Sequence, residues 1–581
     1  MDPNTLEQLQ KVSPDEVTKI LTAYNEKNAK VFTFPTFEVS QRKLFVSVLL
    51  KILRQPADES CHIACLEALR VLSRDKKHLE DVFTKDVLDS LSRIAELIVQ
   101  EEEIIEEGFK AEKAHVIVEA QKTLCNLIFN SPVVQRICST NGCVDGVMLR
   151  LKLYSSPSIP HDVKYFDMRM LFLLTALCAD IRPRLRTEQH GVTYLREALD
   201  LVLKGSEERG GRQPPSRGRL SRRGRAAPQP PIAAPEGGNP QDLGGSLGSV
   251  GPVPRLDDDE ALLAAEILKV LFNLTVSVDK TNVDEEDEVH FQRLVGILHD
   301  LLLCDIDDLE KKDEVCGQVV HVLSNMPRST YEELLSPGHG DGNEGLEYEG
   351  FNIEAVNALL DYLEKRLDTS SLKNQSQSLS PILHCLTECA RGNAIVRKYL
   401  RSKILPPLKD VKNRPEEGSE LRNKLVRLMT SPNTDVKNLV ADLLFVLCKE
   451  KVGRLIKYTG YGNAAGLLAN RGLMLGGRGK QGSYSSDSED SDTEEYARYK
   501  DKINPVLGCY EEPHPNPLEG MTEEQKEYEA MQLVNMMDKL TRGGVLKPMR
   551  VGKDGRPHPV DHILELQEGL QDRDLTESES D

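Results

Sequence analysis

Two sets of residues in this sequence have types and spacing that could do chemistry: a glycine-rich phrase and a recurring set of basic and amide side chains. Gly460-Tyr461-Gly462-Asn463-Ala464-Ala465 fits the pattern G-x-G-x-x-A. A dinucleotide loop of that kind needs a strand before it and a helix after it, within a βαβ unit. Here the preceding residues read as helical repeat, so the glycines predict a turn that ends the array. Gly479-Lys480 lacks the upstream glycine and the following Ser or Thr of a P-loop. Cys61/Cys65 and Cys385/Cys389 are i,i+4 pairs inside helical phrases, and no CxxC pairs with a second one. Buried thiols in a reducing compartment explain them better than zinc ligation. The sequence contains no HExxH and no G-x-S-x-G elbow. No catalytic residue, metal ligand or cofactor is assigned, and the protein is expected to work by binding and not through a chemical active site.

The second set is a ladder. An x-Leu-x-polar phrase ends in turn at Arg74, Asn126, Ala176, Asn273, Asn325, Glu388 and Lys449. The residue four positions earlier lies on the same helix face; these are Arg70, Lys122, Phe172, Lys269, His321, His384 and Phe445. Stacked in space, the two columns make one polar, mostly basic face. A helical array must show polar residues there for solubility alone. Asparagines at three matched positions favour a peptide groove, because an Asn amide bonds both the N–H and the C=O of a bound chain. Arg70 and Arg74, one turn apart, form a fork for a carboxylate. The candidate partner-binding residues are therefore Arg70, Arg74, Lys122, Asn126, Lys269, Asn273 and Asn325. The partner they favour is acidic or ends in a carboxylate.

The elements that must position these residues are helices. With 581 residues, no Trp and only 5% aromatics, the core has to be built from Leu, Val, Ile and Ala, which suits helix on helix. Helix-period segments broken by short turns recur along the chain, and sustained strand alternation is almost absent. The ladder intervals match units of two or three helices, the size range of armadillo and HEAT repeats. The expected fold is all-α, a right-handed superhelical armadillo/HEAT-type solenoid over 1–455 with a partly disordered C-terminal extension. The interval from 176 to 273 is nearly double the others. Its excess lies in 205–254, a Gly/Pro/Arg-rich insertion expected to be disordered. Such a tract binds RNA electrostatically or is simply solvated. A formal net charge of -19 argues against general nucleic-acid binding. No apolar run reaches a membrane span and no signal-peptide core is visible, so the expected location is cytoplasmic.

After the array come a Gly-rich linker and acidic segment over 456–500. A segment over 501–550 follows with a helix at about 522–540, N-capped by Thr522, and then a polar tail, 551–581, expected to be disordered. Ser486 and Ser491 each have an acid three residues on, the pattern of an acidophilic Ser/Thr kinase. Once phosphorylated, they are expected to dock on basic residues of the later repeats, with Lys365, Arg366, Arg397, Lys398, Arg422 and Lys424 as candidates.

Longer phrases carry a resemblance. Pro160-His161-Asp162-Val163-Lys164-Tyr165-Phe166-Asp167, Leu421-Arg422-Asn423-Lys424-Leu425-Val426-Arg427-Leu428-Met429, Lys457 to Leu467, and Asn516-Pro517-Leu518-Glu519-Gly520-Met521-Thr522-Glu523-Glu524-Gln525-Lys526-Glu527 resemble the synembryn family. The likeness is nearest to its B form and covers essentially the whole chain outside 205–254. It implies a cytosolic armadillo/HEAT-type protein that binds heterotrimeric G-protein α subunits. Such a protein is a chaperone for newly made subunits and a guanine-nucleotide exchange factor for GDP-bound ones, and it stabilises the nucleotide-free form. The B form implies a preference for stimulatory and olfactory subunits. The resemblance also implies that the C-terminal helix of the α subunit lies in the groove against Arg70, Arg74 and Asn126, and that Ser486 and Ser491 are phosphorylated. Recruitment to the cell cortex or plasma membrane would then run through the α subunit. The competing expectation is a passive armadillo adaptor that holds acidic or carboxylate-terminated peptides without remodelling them.

Overall fold

The structure, a computed structural model, describes residues 3–55, 58–98, 109, 111–210, 254–280, 283–338, 346–369, 371, 373–477, 479, 492–512 and 518–560. Most of the 205–254 tract, together with Ser486 and Ser491, lies outside the described residues. The chain divides into two compact units, Met1–Met326 with Gly342–Glu344, and Pro327–Asp341 with Gly345–Asp581. This boundary falls inside the array expected over 1–455. Both units are built of packed helices, and the fold is all-α helical repeat. Among the described residues no helix is long and apolar enough to cross a membrane.

In unit 1, six helices form a row in which each packs on the one before: α1 (Pro14–Lys27), α2 (Glu59–Leu72), α3 (Ala114–Asn130), α4 (His161–Leu177), α5 (Asp258–Thr275) and α6 (Leu309–Leu323). Other helices back this row, among them Val39–Leu53 on α2, Lys85–Ile94 on α3, Gly191–Gly210 on α5 and Glu285–Leu303 on α6. The starts are written locally. Asp257 and Glu260 close a capping box at α5, and the Asp308 carboxylate accepts from the N–H groups of Glu310 and Lys311 at α6. Each row helix buries a leucine- and valine-rich face, such as Leu263, Ile267, Leu268, Val270 and Leu271 on α5. Full burial of such side chains is worth about 1.5–3 kcal/mol each.

A buried polar knot ties α3 and α4 to the helix Cys143–Leu151. Asp167 accepts from Gln121 Nε2 at 2.6 Å, Tyr154 O–H at 3.2 Å and Arg150 Nη1 at 3.4 Å. Arg150 Nη2 also donates to the carbonyls of Ala95 and Glu96. Burial pushes the Asp167 carboxyl up to about 6, against the pull of Arg150, Tyr154 and Gln121.

Unit 2 comprises α7 (Glu354–Thr369), α8 (Gln375–Gly392), α9 (Ala394–Ile404), α10 (Leu421–Leu428), α11 (Thr434–Leu447), α12 (Val452–Thr459) and α13 (Tyr461–Arg471), with α8 and α11 at its centre. Packed helices thus continue to Arg471, past the expected boundary at 455. Gly460 joins α12 to α13 at φ +74°, and a Cβ there would lie 3.0 Å from the Leu507 carbonyl. The Tyr461 and Gly462 N–H groups donate to Pro505 and Val506 at 2.8 and 3.0 Å. The amides that would cradle a phosphate are filled by the chain itself.

The C-terminal extension touches down on unit 2 at two places. Tyr510 N–H donates to Val411 O at 2.6 Å, beside the 505–506 contacts. Residues 549–551 pair antiparallel with 557–559, and Met474 N–H donates to Gly555 O at 3.1 Å. Residues 551–560, expected as disordered tail, therefore belong to a docked hairpin. Between the two anchors runs α14 (Glu523–Arg542), N-capped by Thr522 in a capping box with Gln525. It buries no residue, and Tyr528, Met531, Leu533, Val534 and Met536 are exposed.

Candidate functional site

The row in unit 1 carries a pocket of about 570 Å³ lined by Phe32, Arg70, Arg74, Lys122, Cys125, Asn126, Tyr165, Phe166, Arg169, Leu262, Glu266, Lys269 and Glu314. Five of the seven residues expected to bind a partner line it, namely Arg70, Arg74, Lys122, Asn126 and Lys269.

Each cation is placed by the next helix of the row. Arg70 Nε on α2 donates to Glu119 on α3. Lys122 on α3 lies 5.5 Å from the centre of the Phe166 ring on α4 and also pairs with Glu119 at 3.1 Å. Arg169 on α4 pairs with Glu266 on α5 at 3.0 Å. Lys269 on α5 pairs with Glu266 at 2.9 Å and with Glu314 on α6 at 2.8 Å. Burial alone would lower the Lys269 pKa, but hydrogen bonds and charge from Glu314 and Glu266 outweigh it and raise it. Glu119 and Glu266 are both buried, and each stands three residues before a lysine of the ladder.

Arg74 differs. It donates from Nη1 to Ala29 O at 2.8 Å and stacks 5.6 Å from the Phe32 ring centre. Among the described residues it has no carboxylate partner. Burial lowers its pKa, and repulsion from Arg70 adds to that against the attraction of Glu119. Among the described residues the Asn126 side chain, half-buried on α3, makes no hydrogen bond. This end of the pocket therefore holds Arg70, Arg74 and Lys122 against Glu119, which lies between Arg70 and Lys122, and Glu67, 3.7 Å from Arg70 outside the pocket lining, with the aromatic rings of Phe32, Tyr165 and Phe166 alongside. It suits an anionic group with apolar surface beside it.

Asn273 and Asn325 do not line the pocket. Asn273 Nδ2 donates to Phe172 O at 3.4 Å and Thr175 Oγ1 at 3.0 Å. Asn325 Nδ2 donates to Phe272 O at 3.2 Å and Thr275 Oγ1 at 3.1 Å. Both are buried staples between successive helices, so their donors are not available to a bound peptide. The ladder overlooked Glu119, Arg169, Glu266 and Glu314, although the shared spacing of Glu119-x-x-Lys122 and Glu266-x-x-Lys269 was visible.

In unit 2 the six expected docking residues do not stand as one open patch. Arg397 is buried and donates from Nη1 to Ala390 O at 2.8 Å. Lys398 pairs with Glu349 at 3.1 Å and Lys424 with Asp368 at 2.6 Å. Lys365 is exposed on α7, and Arg366 stacks on Tyr362 with its guanidinium 4.6 Å from the ring centre. Arg422 is buried with no carboxylate within ion-pair distance among the described residues; burial lowers its pKa against Glu420 and Asp410. A residue outside that set, Lys457, holds the end of the acidic block, pairing with Asp492 at 2.7 Å and covering Tyr496 at 4.5 Å.

Among the described residues no group of three or more His, Cys, Asp or Glu side chains is placed to hold a metal ion. The twelve cysteines are free thiols, buried except for the half-buried Cys316.

Comparison with known proteins gives a consistent picture. A family model described as guanine nucleotide exchange factor synembryn matches residues 65–556. The chain is 45% identical over 550 residues to chaperone Ric-8A of Gallus gallus, covering 95% of this chain and 94% of that protein. It is 42% identical to chaperone Ric-8A of Xenopus tropicalis over the full length of both. It is 41% identical to the Mus musculus protein of the same name, covering 98% and 97%.

Proposed function

Because the chain belongs to the synembryn family of guanine nucleotide exchange factors, we propose that it binds heterotrimeric G-protein α subunits, as a chaperone for new subunits and an exchange factor for GDP-bound ones. The C-terminal helix of the α subunit enters the unit 1 pocket, and its terminal carboxylate meets Arg70 and Arg74. The observation that carries this reading is the charge excess at that end of the pocket, where Arg74 lies without a carboxylate partner among the described residues while Arg70 pairs with Glu119 and Glu67 and Lys122 with Glu119, beside the rings of Phe32, Tyr165 and Phe166. Exchange follows from linkage. A protein that binds the nucleotide-free subunit more tightly than the GDP-bound one weakens GDP binding by the same factor. GTP then rebinds and releases the complex. The stimulatory and olfactory subunits are the proposed clients, met in the cytoplasm and at the plasma membrane.

The test is GDP release from purified stimulatory α subunit, with wild type and with Arg70→Ala/Arg74→Ala. Acceleration that is lost in a variant of unchanged melting temperature supports the reading. Binding to nucleotide-free subunit without acceleration leaves a chaperone that does not exchange. Binding of isolated carboxylate peptides alone favours a passive adaptor.

We further propose that an acidophilic kinase phosphorylates Ser486 and Ser491 and that the phosphates dock on unit 2. Arg422, buried without a carboxylate partner among the described residues, and Lys457, already on Asp492, are the favoured contacts. Equal stability and client binding of phosphorylated protein and Ser486→Ala/Ser491→Ala would overturn this.

A further inference from the structure

The two ends of the unit 1 pocket differ in their charge balance. On α2 and α3, Arg70 and Lys122 pair with Glu119, Arg70 also reaches Glu67 at 3.7 Å, and Arg74 has no carboxylate partner among the described residues, so three cations stand against two carboxylates. On α4 to α6, Arg169 and Lys269 face two carboxylates, Glu266 and Glu314, and each cation is within 3.0 Å of one of them. The two acids also differ in exposure. The Glu266 side chain is 4% exposed and fixed between Arg169 and Lys269, whereas that of Glu314 is 42% exposed and meets Lys269 from the far side of the pocket.

Building on the reading of this pocket as a carboxylate groove, we propose that Glu314 is a specificity-determining residue. It occupies the position at Lys269 that a second acidic group of the ligand would take. The groove thus accepts one anionic group, at the Arg70–Arg74 end, and rejects another at the α5–α6 end. The rejection is electrostatic. A ligand carboxylate brought to Lys269 must displace Glu314 or sit beside it, and two like charges juxtaposed at one cation repel. A repulsive element of this kind discriminates between ligands that share the same terminal group. An amide or hydroxyl at that place has no such conflict, since it can donate to the Glu314 carboxylate.

The test uses the full-length protein and synthetic peptides with a free C-terminal carboxylate, made with Glu or Gln at each upstream position in turn, read by fluorescence anisotropy. At the upstream position that reaches Lys269, wild type is expected to bind the Gln peptide at least as well as its Glu counterpart. Glu314→Gln should bind the Glu peptide at one upstream position roughly tenfold more tightly than wild type does. That gain should vanish in Glu314→Gln/Lys269→Gln, with the melting temperature of Glu314→Gln unchanged. An identical ranking of the Glu and Gln peptides by wild type and Glu314→Gln would overturn the proposal and leave the groove intact. Persistence of the gain in the double variant would overturn the assignment to Lys269. Failure of every peptide to bind either protein would overturn the groove reading as well.

Discussion

In unit 1 the cations of successive row helices reach forward to the next helix, Arg70 to Glu119, Lys122 to Phe166 and Arg169 to Glu266. In unit 2 the pattern is mixed: Lys424 reaches Asp368 on α7 and Arg391 and Arg471 reach Asp442 on α11, while other cations hold backbone carbonyls or the acidic segment. Arg397 donates to Ala390 O, Arg427 donates to the carbonyls of Glu416 and Gly418 at 2.8 Å, and Lys457 holds Asp492. The forward pattern repeats from helix to helix and leaves each cation beside a pocket. The loop-holding pattern has no period and closes irregular segments. A count of basic residues would not separate these uses; the partner of each one does.

The contrast would be damaged most by Arg150→Met, which strips the charge partner from Asp167 inside unit 1. It should cost about 3–5 kcal/mol, because a buried carboxylate is left uncompensated, measured as loss of the unit 1 transition in urea unfolding. A smaller effect comes from pH. The Asp167 pKa is raised from an unfolded value of about 3.9 to about 6. The folded chain therefore keeps a proton that the unfolded chain has released. The stabilising contribution is present below pH ~3.9 and lost as pH rises through 6. Relative to Asp167→Asn, wild type should gain on the order of 2 kcal/mol between pH 7 and pH 4. Asn273→Ala and Asn325→Ala should each cost about 1–2 kcal/mol and leave peptide binding to the pocket unchanged. A loss of peptide affinity in either variant would return these residues to the groove. Lys424→Ala, which breaks a part-exposed pair with Asp368 in unit 2, should cost under about 1 kcal/mol by thermal melt.

Much of the architecture was legible because it is local. The aromatic-poor, leucine-rich composition pointed to helix on helix. Ser13 before Pro14 and Thr522 before Glu523 mark helix starts where the structure has them. The site was less legible because it depends on register between helices far apart in sequence. Asn325 bonds Phe272 O and Thr275, and Asn273 bonds Phe172 O and Thr175 in the same way. That equivalence places Leu173 in the ladder position, three residues before Ala176. The residue four positions before Leu173 is Arg169, which lines the pocket as Lys269 does. A leucine stands where the other helices carry a polar residue, so the alignment slid by nearly one turn and passed over Arg169. Glu119 and Glu266 were missed for another reason. A search for a basic column discards acids, although a buried cation usually comes with one.

The two anchors that flank α14 have a consequence for concentration. A segment pinned at residues 505–510 and again at 549–560 samples only the volume its two tethers allow. The exposed apolar side chains Met531, Leu533, Val534 and Met536, spread around the helix, are therefore held near the packed helices of unit 2, at an effective concentration set by tether length and not by how much protein is in solution. Dilution weakens an encounter between separate molecules but leaves this one unchanged. A cut at one tether would lower that local concentration without setting the helix free.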